Sequence, residues 1–381
     1  MRGAERERIA IIAGQLDVGG SERQLYFWLS HMDRDRFEPI VVTLNPSRGD
    51  YWEKPIESLG VPLLREDHRH NPLVRLVNLV QALRSFRPHL IHGWNLFTSP
   101  YAGAVAKLLG SKSIGSLRDN LRVFNAHPYE ATLTQYLVDA LVVNSQAAAR
   151  ELASAGKCRR QKVCVVPNAV ETFPHDRMSL RERIGARFAL PQDHLWIGAM
   201  GRFVPKKRFD VILNVLASVQ KNVPNVCILF IGDGPLRAEL TREASSLGLD
   251  GVLTFTGEDA DAHTWLGALD IFCFAGLDEG LPNVVMEAAV AGVPVVALRT
   301  ASLEELLEAN DSALLVVPGD LRGMEEAILS LARDQSLRRR IGDAAQCRVS
   351  SRFSLAAFVS QMSAAYMEVL DITLEPPRRR P

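Results

Sequence analysis

Two glutamates near the start of one predicted helix could hold a phosphorylated sugar. A buried strand from Asp270 to Phe274 leads into an acidic, glycine-bearing loop, and Pro282 then falls where the first turn of a helix tolerates proline. Backbone N–H groups at this helix start, around Leu281 to Val284, would favour a phosphate. Glu279 in the loop and Glu287 in the helix would flank that anion, and carboxylates accept hydrogen bonds from vicinal hydroxyls.

A simpler interpretation gives these glutamates no ligand. Glu279 would then be a helix-start charge and Glu287 a solvated side chain, which predicts polar neighbours for Glu287. Its neighbours are instead apolar: Val284, Val285, Ala288, Ala289 and Val290. Because a carboxylate in apolar surroundings needs a bound partner, the pattern favours a binding role.

Cations follow a second predicted strand in the segment AMGRFVPKKRFDVIL. The strand ends at Met200, and Arg202, Lys206 and Lys207 come next. Cations beyond the carboxyl end of a strand can neutralise a diphosphate leaving group without a metal ion. We therefore expect neither a metal nor a cofactor, and we interpret Lys206 and Arg208 as solvated charges.

Two glycine-containing turns follow other strands. Gly19 and Gly20, in GQLDVGGSERQ, allow a close backbone approach to a ligand before a helix start. The segment FIGDGPLRAEL could be a dinucleotide-binding turn, but Arg237 stands where a third small residue should pack helix on strand. A tight turn near a nucleotide is the interpretation we favour.

Polar and aromatic residues end two further strands, in HGWN and SLRDN. His92 and Trp94 could form part of an acceptor or sugar pocket, although a histidine beside a tryptophan is more often structural. Arg118 could pair with a phosphate, with an acidic acceptor, or with Asp119.

These motifs, in this order, resemble the retaining family 4 glycosyltransferases, also called glycosyl transferases group 1. EGLPNVVME is similar to their E-x7-E signature. The resemblance implies that Glu279 contacts the transferred sugar and Glu287 the nucleotide ribose. It also implies a GT-B fold and a nucleoside diphosphate sugar donor, UDP- or GDP-linked, whose sugar is transferred with retention of configuration.

The resemblance extends to other donor-binding positions. Arg202 and Lys207 align with the cations that clamp the diphosphate, and Gly20 lies in the family's glycine pair. The family's sugar- and phosphate-binding backbone segment corresponds to Gly280, Leu281, Pro282 and Asn283, in which Pro282 has no N–H to donate.

The sequence departs from the family at a few loop positions. The family commonly has a histidine near the transferred sugar where Arg118 stands here. Ala301 and Ser302 replace a frequent glycine pair, and Ala275 and Gly276 replace a frequent Pro-Ser. These differences bear on which sugar is bound more than on fold or reaction class.

The whole chain reads as α/β, with two doubly wound, Rossmann-like domains expected to face each other across a cleft. Short apolar runs alternate with amphipathic segments before and after a proline- and charge-rich interruption. The predicted segments are an N-terminal domain at 1–172, a linker at 173–193, a C-terminal domain at 194–352, a helix at 353–370 that could pack back on the first domain, and a tail at 371–381.

Composition limits the partners. Lys and Arg number 44 against 44 Asp and Glu, which gives no overall field to recruit nucleic acid. Residues 1–170 carry a net charge of +6, and the cluster of Arg65, His68, Arg69 and His70 permits peripheral contact with an anionic membrane, although a solvated face explains it equally well. The five cysteines lack a CxxC pair, so we expect reduced thiols in a cytoplasmic protein. The longest apolar stretch, 281–298, contains Glu287, so we expect no membrane span there.

Three functions remain open from the sequence. The first is transfer to a glycan or lipid-linked acceptor in bacterial-type surface polysaccharide or glycolipid synthesis. The second is a phosphorylase or nucleotide-sugar epimerase of the same fold. The third is a non-catalytic partner subunit that binds nucleotide sugars, which the intact Glu279, Glu287, Arg202 and Lys207 disfavour.

Overall fold

The computed structural model describes residues 6–45, 50–66, 71–158, 161–172, 176–259 and 261–371. Its contacts divide the chain into two compact units. The first comprises residues 1–169 together with 355–381, and the second comprises residues 170–354.

The first unit is built on a sheet of seven parallel strands in the order β3-β2-β1-β4-β5-β6-β7. These strands are β1 (Glu7–Ala13), β2 (Phe37–Thr43), β3 (Leu63–Arg65), β4 (Leu90–Gly93), β5 (Lys112–Leu117), β6 (Ala140–Val143) and β7 (Lys162–Val165). Its helices are α1 (Gly20–His31), α2 (Glu53–Ser58), α3 (Pro72–Arg84), α4 (Ser99–Leu109), α5 (Leu121–Ala126), α6 (Pro128–Leu137), α7 (Gln146–Ser154) and, from the end of the chain, α16 (Leu355–Asp371).

The second unit has a sheet of six parallel strands in the order β10-β9-β8-β11-β12-β13. These strands are β8 (Leu195–Met200), β9 (Val226–Ile231), β10 (Leu253–Phe255), β11 (Ile271–Phe274), β12 (Val295–Leu298) and β13 (Leu314–Val316). Its helices are α8 (Arg177–Phe188), α9 (Phe209–Asn222), α10 (Arg237–Ser246), α11 (Ala262–Trp265), α12 (Asn283–Val290), α13 (Ala301–Leu306), α14 (Leu321–Arg333) and α15 (Gln335–Arg352).

Both sheets are doubly wound, which confirms the predicted fold class of two Rossmann-like α/β sheets. The strand order reverses between β1 and β4 in the first sheet and between β8 and β11 in the second. Ligands of open α/β sheets bind beyond the carboxyl ends of the strands at such a reversal. The loops that follow β1, β4, β8 and β11 are therefore the places to look for a site.

The strands predicted to end at Met200 and Phe274 are present as β8 and β11, whereas β3 was not predicted. Its three residues, Leu63–Arg65, form an edge strand in which the two leucines are partly buried and Arg65 is exposed. An edge strand this short carries too little alternation to stand out from a loop.

The segment expected to be a linker, 173–193, contains helix α8, which belongs to the second unit. Leu180 and Ile184 of this helix are buried in the second unit's core. Charged residues fill the exposed turns of α8, and they give the segment the composition of a linker although one face is apolar.

Helix α16 completes the core of the first unit. Its Tyr366 ring packs against Trp28 and Phe37, with centroids 5.1 and 5.9 Å apart. By length and composition alone, the stretch Gln335–Asp371 could cross a membrane. The structure divides it into α15 and α16, and α16 buries Phe358, Met362, Ala365, Tyr366 and Val369.

Candidate active site

The loop after β8 is held in place by the turn after β9. Gly201 N–H donates to the Ile231 carbonyl over 3.0 Å, and Phe203 N–H donates to the Asp233 carbonyl over 2.8 Å. A Cβ on Gly234, whose φ is 159°, would lie 2.6 Å from the Phe203 nitrogen, so only glycine allows this approach. The GDGP turn thus supports the backbone that carries Arg202 and Lys207.

Lys207 forms an ion pair with Glu279. Its Nζ atom lies 3.0 Å from Glu279 Oε1, and both side chains are largely buried. The Nζ atom of Lys206 lies 3.8 Å from the same oxygen, but this side chain is 44% exposed. The structure therefore brings together two residues predicted for the site from loops that follow neighbouring strands, β8 and β11.

Glu287 is buried in helix α12, with 7% of its surface exposed. Val285, Met286 and Ala288 around it are fully buried, in keeping with the apolar neighbours seen in the sequence. The helix begins at Asn283 with Pro282 as its N-cap residue, and a helix start carries partial positive charge.

The loop that leads into α12 is fixed from both sides. Gly280, Leu281 and Pro282 are buried, and Leu281 packs in the second unit's core. The Glu279 carbonyl accepts a hydrogen bond from Ser302 Oγ over 3.3 Å. Ser302, which the sequence marked only as a departure from the family, is thus a support of the loop.

Arg202 is exposed, and no ion pair to it occurs within the described part of the chain. Arg208 pairs with Asp210, with 3.3 Å between Nε and Oδ1. In the same stretch of backbone, Lys207 therefore places a cation at the loop before α12, Arg202 is an exposed cation, and Arg208 is directed to its own helix.

In the first unit, Gly19 precedes α1 with an extended backbone, φ −166°. The Glu22 carboxylate folds back over it, since a Cβ on Gly19 would lie 2.2 Å from Glu22 Oε2. Burial raises the pKa of Glu22 to about 7, partly offset by a backbone hydrogen bond and by Arg118. Sequence reasoning missed Glu22, although a glutamate in a helix's first turn is a recognisable signal.

His92 and Trp94 differ from the expected pocket wall. His92 has no exposed surface, and its Nδ1 and Nε2 atoms lie 2.7 Å from Tyr366 Oη and from Ser116 Oγ. Burial and the charge of Arg118 lower the pKa of His92 well below its usual value, so the ring is neutral. His92 ties α16 to the sheet, and Trp94, 1% exposed, lies beside it in the core. In this structure neither side chain offers a surface to an acceptor.

Arg118 packs on the face of Trp94. Its guanidinium carbon lies 3.9 Å from the ring centroid, and Nε donates to the Trp94 carbonyl over 3.1 Å. Nη1 lies 3.4 Å from Asn168 Oδ1. Asn168 was not singled out in the sequence; nothing in its neighbours VVPNAV distinguishes its side chain from an ordinary loop amide.

Among the described residues, no group of three or more His, Cys, Asp or Glu is arranged to hold a metal ion. Cys227 and Cys273 are buried and unpaired. Of the predicted basic cluster, Arg65 forms ion pairs with Glu53 and Glu57, each over 3.0 Å. The other members, His68, Arg69 and His70, lie outside the described residues.

Two doubly wound parallel sheets of Rossmann type are the architecture of the GT-B class of glycosyltransferases. The solved structures agree. The Anabaena protein HepE in complex with UDP and glucose superimposes with a TM-score of 0.82 at 21% identity, covering 95% of this chain and 100% of that one. A sucrose-phosphate synthase from Thermosynechococcus elongatus gives 0.76 at 18% identity, covering 97% and 100%.

Family models and curated relatives identify the family. The model described as glycosyl transferases group 1 matches residues 181–348, and the model of glycosyltransferase family 4 matches residues 18–172. Two lipopolysaccharide core biosynthesis glycosyltransferases of Rhizobium meliloti are similar: LpsE is 26% identical, covering 92% of this chain and 96% of its own, and LpsD is 28% identical, covering 93% and 95%. The chain belongs to the family 4 glycosyltransferases.

Proposed function

We propose that this enzyme transfers a sugar from a nucleoside diphosphate sugar, UDP- or GDP-linked, to a glycan or lipid-linked acceptor, with retention of configuration. The observation that carries the proposal is the Lys207–Glu279 ion pair beside the start of α12, at the strand-order reversal of the second sheet. Support comes from the structural relative HepE, whose crystals contain UDP and glucose.

Binding of the donor would exchange the partners of this ion pair. A diphosphate placed at the start of α12 would draw the Lys207 ammonium away from Glu279, and exposed Arg202 would add a second cation. Glu279 would then be free to accept hydrogen bonds from hydroxyls of the transferred sugar. One event would thereby assemble both the leaving-group clamp and the sugar contact.

Glu287 would bind the ribose. Its carboxylate is buried among fully buried apolar side chains one turn into α12, about 6 Å along the axis from the helix start at the helical rise per residue. The backbone from Gly280 to Asn283 would complete the phosphate and sugar contacts. A desolvated carboxylate that gains two hydroxyl donors strengthens the complex more than a solvated one would.

The proposed reaction requires no nucleophilic side chain from the protein. In front-face displacement the bond between the anomeric carbon and the diphosphate oxygen breaks, and negative charge develops on that oxygen. The acceptor oxygen bonds to the same carbon from the same side, and its proton passes to the leaving diphosphate. In this proposal Lys207, Arg202 and the start of α12 would stabilise that charge, and the Lys207–Glu279 ion pair beside α12 supports it. Preorganised donors accelerate a reaction most where charge develops. No metal or cofactor enters this proposal.

The acceptor class rests on the relatives. LpsE and LpsD are named as lipopolysaccharide core biosynthesis enzymes, and the chain spans nearly their whole length. We propose a surface polysaccharide or glycolipid acceptor, with the enzyme working in the cytoplasm or in peripheral contact with the inner face of the membrane.

The test has two parts. Calorimetry with UDP, GDP and their sugars should give binding of one nucleotide series, and product NMR with that donor should show an anomeric configuration equal to the donor's. Inversion would overturn the mechanism, and failure of every nucleotide to bind would overturn the function. Donor consumption that requires only phosphate, or an epimer formed from donor alone, would favour the phosphorylase or epimerase; binding without turnover would favour the non-catalytic subunit.

A further inference from the structure

We propose that Arg118, Ser21 and Glu22 of the first unit form a binding site for an acidic group, a carboxylate or a phosphate, on a sugar substrate. The donor-site proposal assigns no such group to the first unit. The inference rests on the proposed function only in making the ligand a sugar; the anion site itself is argued from side chains of the first unit.

The guanidinium of Arg118 is fixed before any ligand arrives. It lies flat on Trp94, 3.9 Å from the ring centroid, and its Nε is bonded to the Trp94 carbonyl. Asn144 Nδ2 donates to the Arg118 carbonyl over 3.0 Å, which holds the backbone as well. A guanidinium positioned in this way loses little conformational entropy when it binds an oxyanion.

The remaining donors of this cluster have no acceptor. Within the described residues, Arg118 Nη2 and Ser21 Oγ are both shielded from solvent and lack a hydrogen-bond partner. The two belong to one neighbourhood, because Trp94 Nε1 donates to the Ser21 carbonyl while the Trp94 face carries Arg118. A buried cationic donor without an acceptor is costly, and an oxyanion would satisfy both groups at once.

The site can bind an anion well only when the Glu22 carboxyl group is protonated and therefore neutral. Its carboxyl interacts electrostatically with Arg118, and its pKa of about 7 means that it is protonated through the lower half of the physiological range. A protonated Glu22 can donate a hydrogen bond to the same oxyanion, whereas an ionised one would repel it. Binding is therefore expected to be linked to the uptake of a proton.

The other titratable groups that face this cluster leave the linkage to Glu22. Asp17 and Asp50 act on Glu22 as like charges that raise its pKa further. His92, beside Trp94, stays neutral because burial lowers its pKa. Burial raises the pKa of Tyr366, so its hydroxyl stays protonated at neutral pH. Burial also lowers the pKa of Arg118 to about 10, which leaves it a cation at neutral pH.

The experiment is an NMR titration of the full chain with glucuronate and with its neutral match, glucuronamide, at constant ionic strength. Glucose 6-sulfate, a monoanion that does not titrate near neutrality, stands in for phosphate. We expect at least one anion to bind about tenfold more tightly than the amide. We also expect its affinity to fall about tenfold from about pH 6 to about pH 8, because only the form with neutral Glu22 binds well.

Variants separate the site from general charge effects. Glu22→Gln keeps the hydrogen-bond donor without the charge, so affinity should stay high and become independent of pH. Arg118→Met should abolish the preference for the anion at both pH values, and Arg118→Lys should weaken it. Arg84→Met, which removes an exposed arginine at the end of α3, should change nothing. Circular dichroism would check that each variant is folded.

Glucuronamide binding as tightly as both anions would overturn the proposal, since water or a hydroxyl would then be the missing acceptor. A pH dependence that survives in Glu22→Gln would do so as well. The result is distinguishable from a failure of the donor site: if wild type binds the anion but no nucleotide, the proposed function fails and the anion site stands, and the reverse pattern removes the anion site alone.

Discussion

Each unit places a cation near a glutamate at the carboxyl ends of its strands, but the two pairs differ in completeness. Lys207 and Glu279 already neutralise each other over 3.0 Å. Arg118 is stacked and anchored with a buried donor left over, and the nearby Glu22 carries a raised pKa in place of a closed ion pair. A ligand at the proposed donor site would therefore displace a partner in the second unit, whereas an anion at the proposed site of the first unit would supply one.

The largest expected effect follows from removing the cation of the closed pair. Lys207→Ala should lower the rate constant of transfer about 10²- to 10³-fold, because a cation at the leaving group acts where charge develops. Lys206→Ala is the matched control, since its ammonium lies farther from Glu279 and is 44% exposed. Steady-state kinetics that slow equally in both variants would show that the pair has no special place in the site.

Next in size is the buried carboxylate of α12. Glu287→Ala should weaken nucleotide binding by about 1.5 to 3 kcal/mol, about tenfold to more than a hundredfold, because hydrogen bonds to a charged group are lost. Calorimetry with the free nucleotide measures this directly. Glu326→Ala, at an exposed position of α14, is the control. Unchanged affinity in Glu287→Ala would remove the ribose assignment.

A smaller effect is expected on the stability of the first unit. The folded pKa of Glu22, about 7, lies above its unfolded value of 4.5, so the folded state holds this proton more tightly. Its contribution is complete below about pH 4.5 and is lost as pH rises through about 7. The free energy of unfolding of Glu22→Gln, relative to that of wild type, should therefore rise by on the order of 2 kcal/mol between about pH 5 and about pH 8.

Urea unfolding at several pH values would measure this difference. Glu57→Gln, an exposed glutamate paired with Arg65, serves as the control and should not alter the slope. Parallel stability curves for wild type and Glu22→Gln would mean that Glu22 ionises normally, and the contrast between the two units would disappear.

The smallest effect concerns the layer beneath Arg118. Tyr366→Phe removes the hydroxyl that lies 2.7 Å from His92 Nδ1, and should cost about 1 kcal/mol of stability with little change in transfer. Thermal unfolding and acceptor kinetics would be compared. A raised KM for the acceptor without a loss of stability would instead indicate that His92 contributes to acceptor binding.

Several residues of the proposed donor site could be picked out from the sequence, because they follow apolar strands. Glu279 and Glu287 stood out by their positions in a loop after a strand and on one helix, whereas the choice of Arg202 and Lys207 over Lys206 came from the resemblance to the family. The Lys207–Glu279 contact was not predicted, since it depends on β8 and β11 being neighbours, and sequence order does not give strand order.

The first unit was harder to predict for a related reason. His92 and Trp94 lie at a strand end, where a pocket residue and a core residue have the same sequence context. Tyr366, which buries His92, is hundreds of residues away, and Glu22 acquires its raised pKa from burial. Packing between residues distant in sequence determines each of these roles, and the local sequence pattern does not predict such packing.

The return of α16 also has a consequence for synthesis on the ribosome. The first unit's core contains Phe358, Met362 and Tyr366, which emerge only after the entire second unit has been translated. The second unit, continuous in sequence, can fold as it appears, while the first must wait with an apolar groove uncovered. A nascent chain is therefore most exposed to aggregation and to chaperones through its earliest residues.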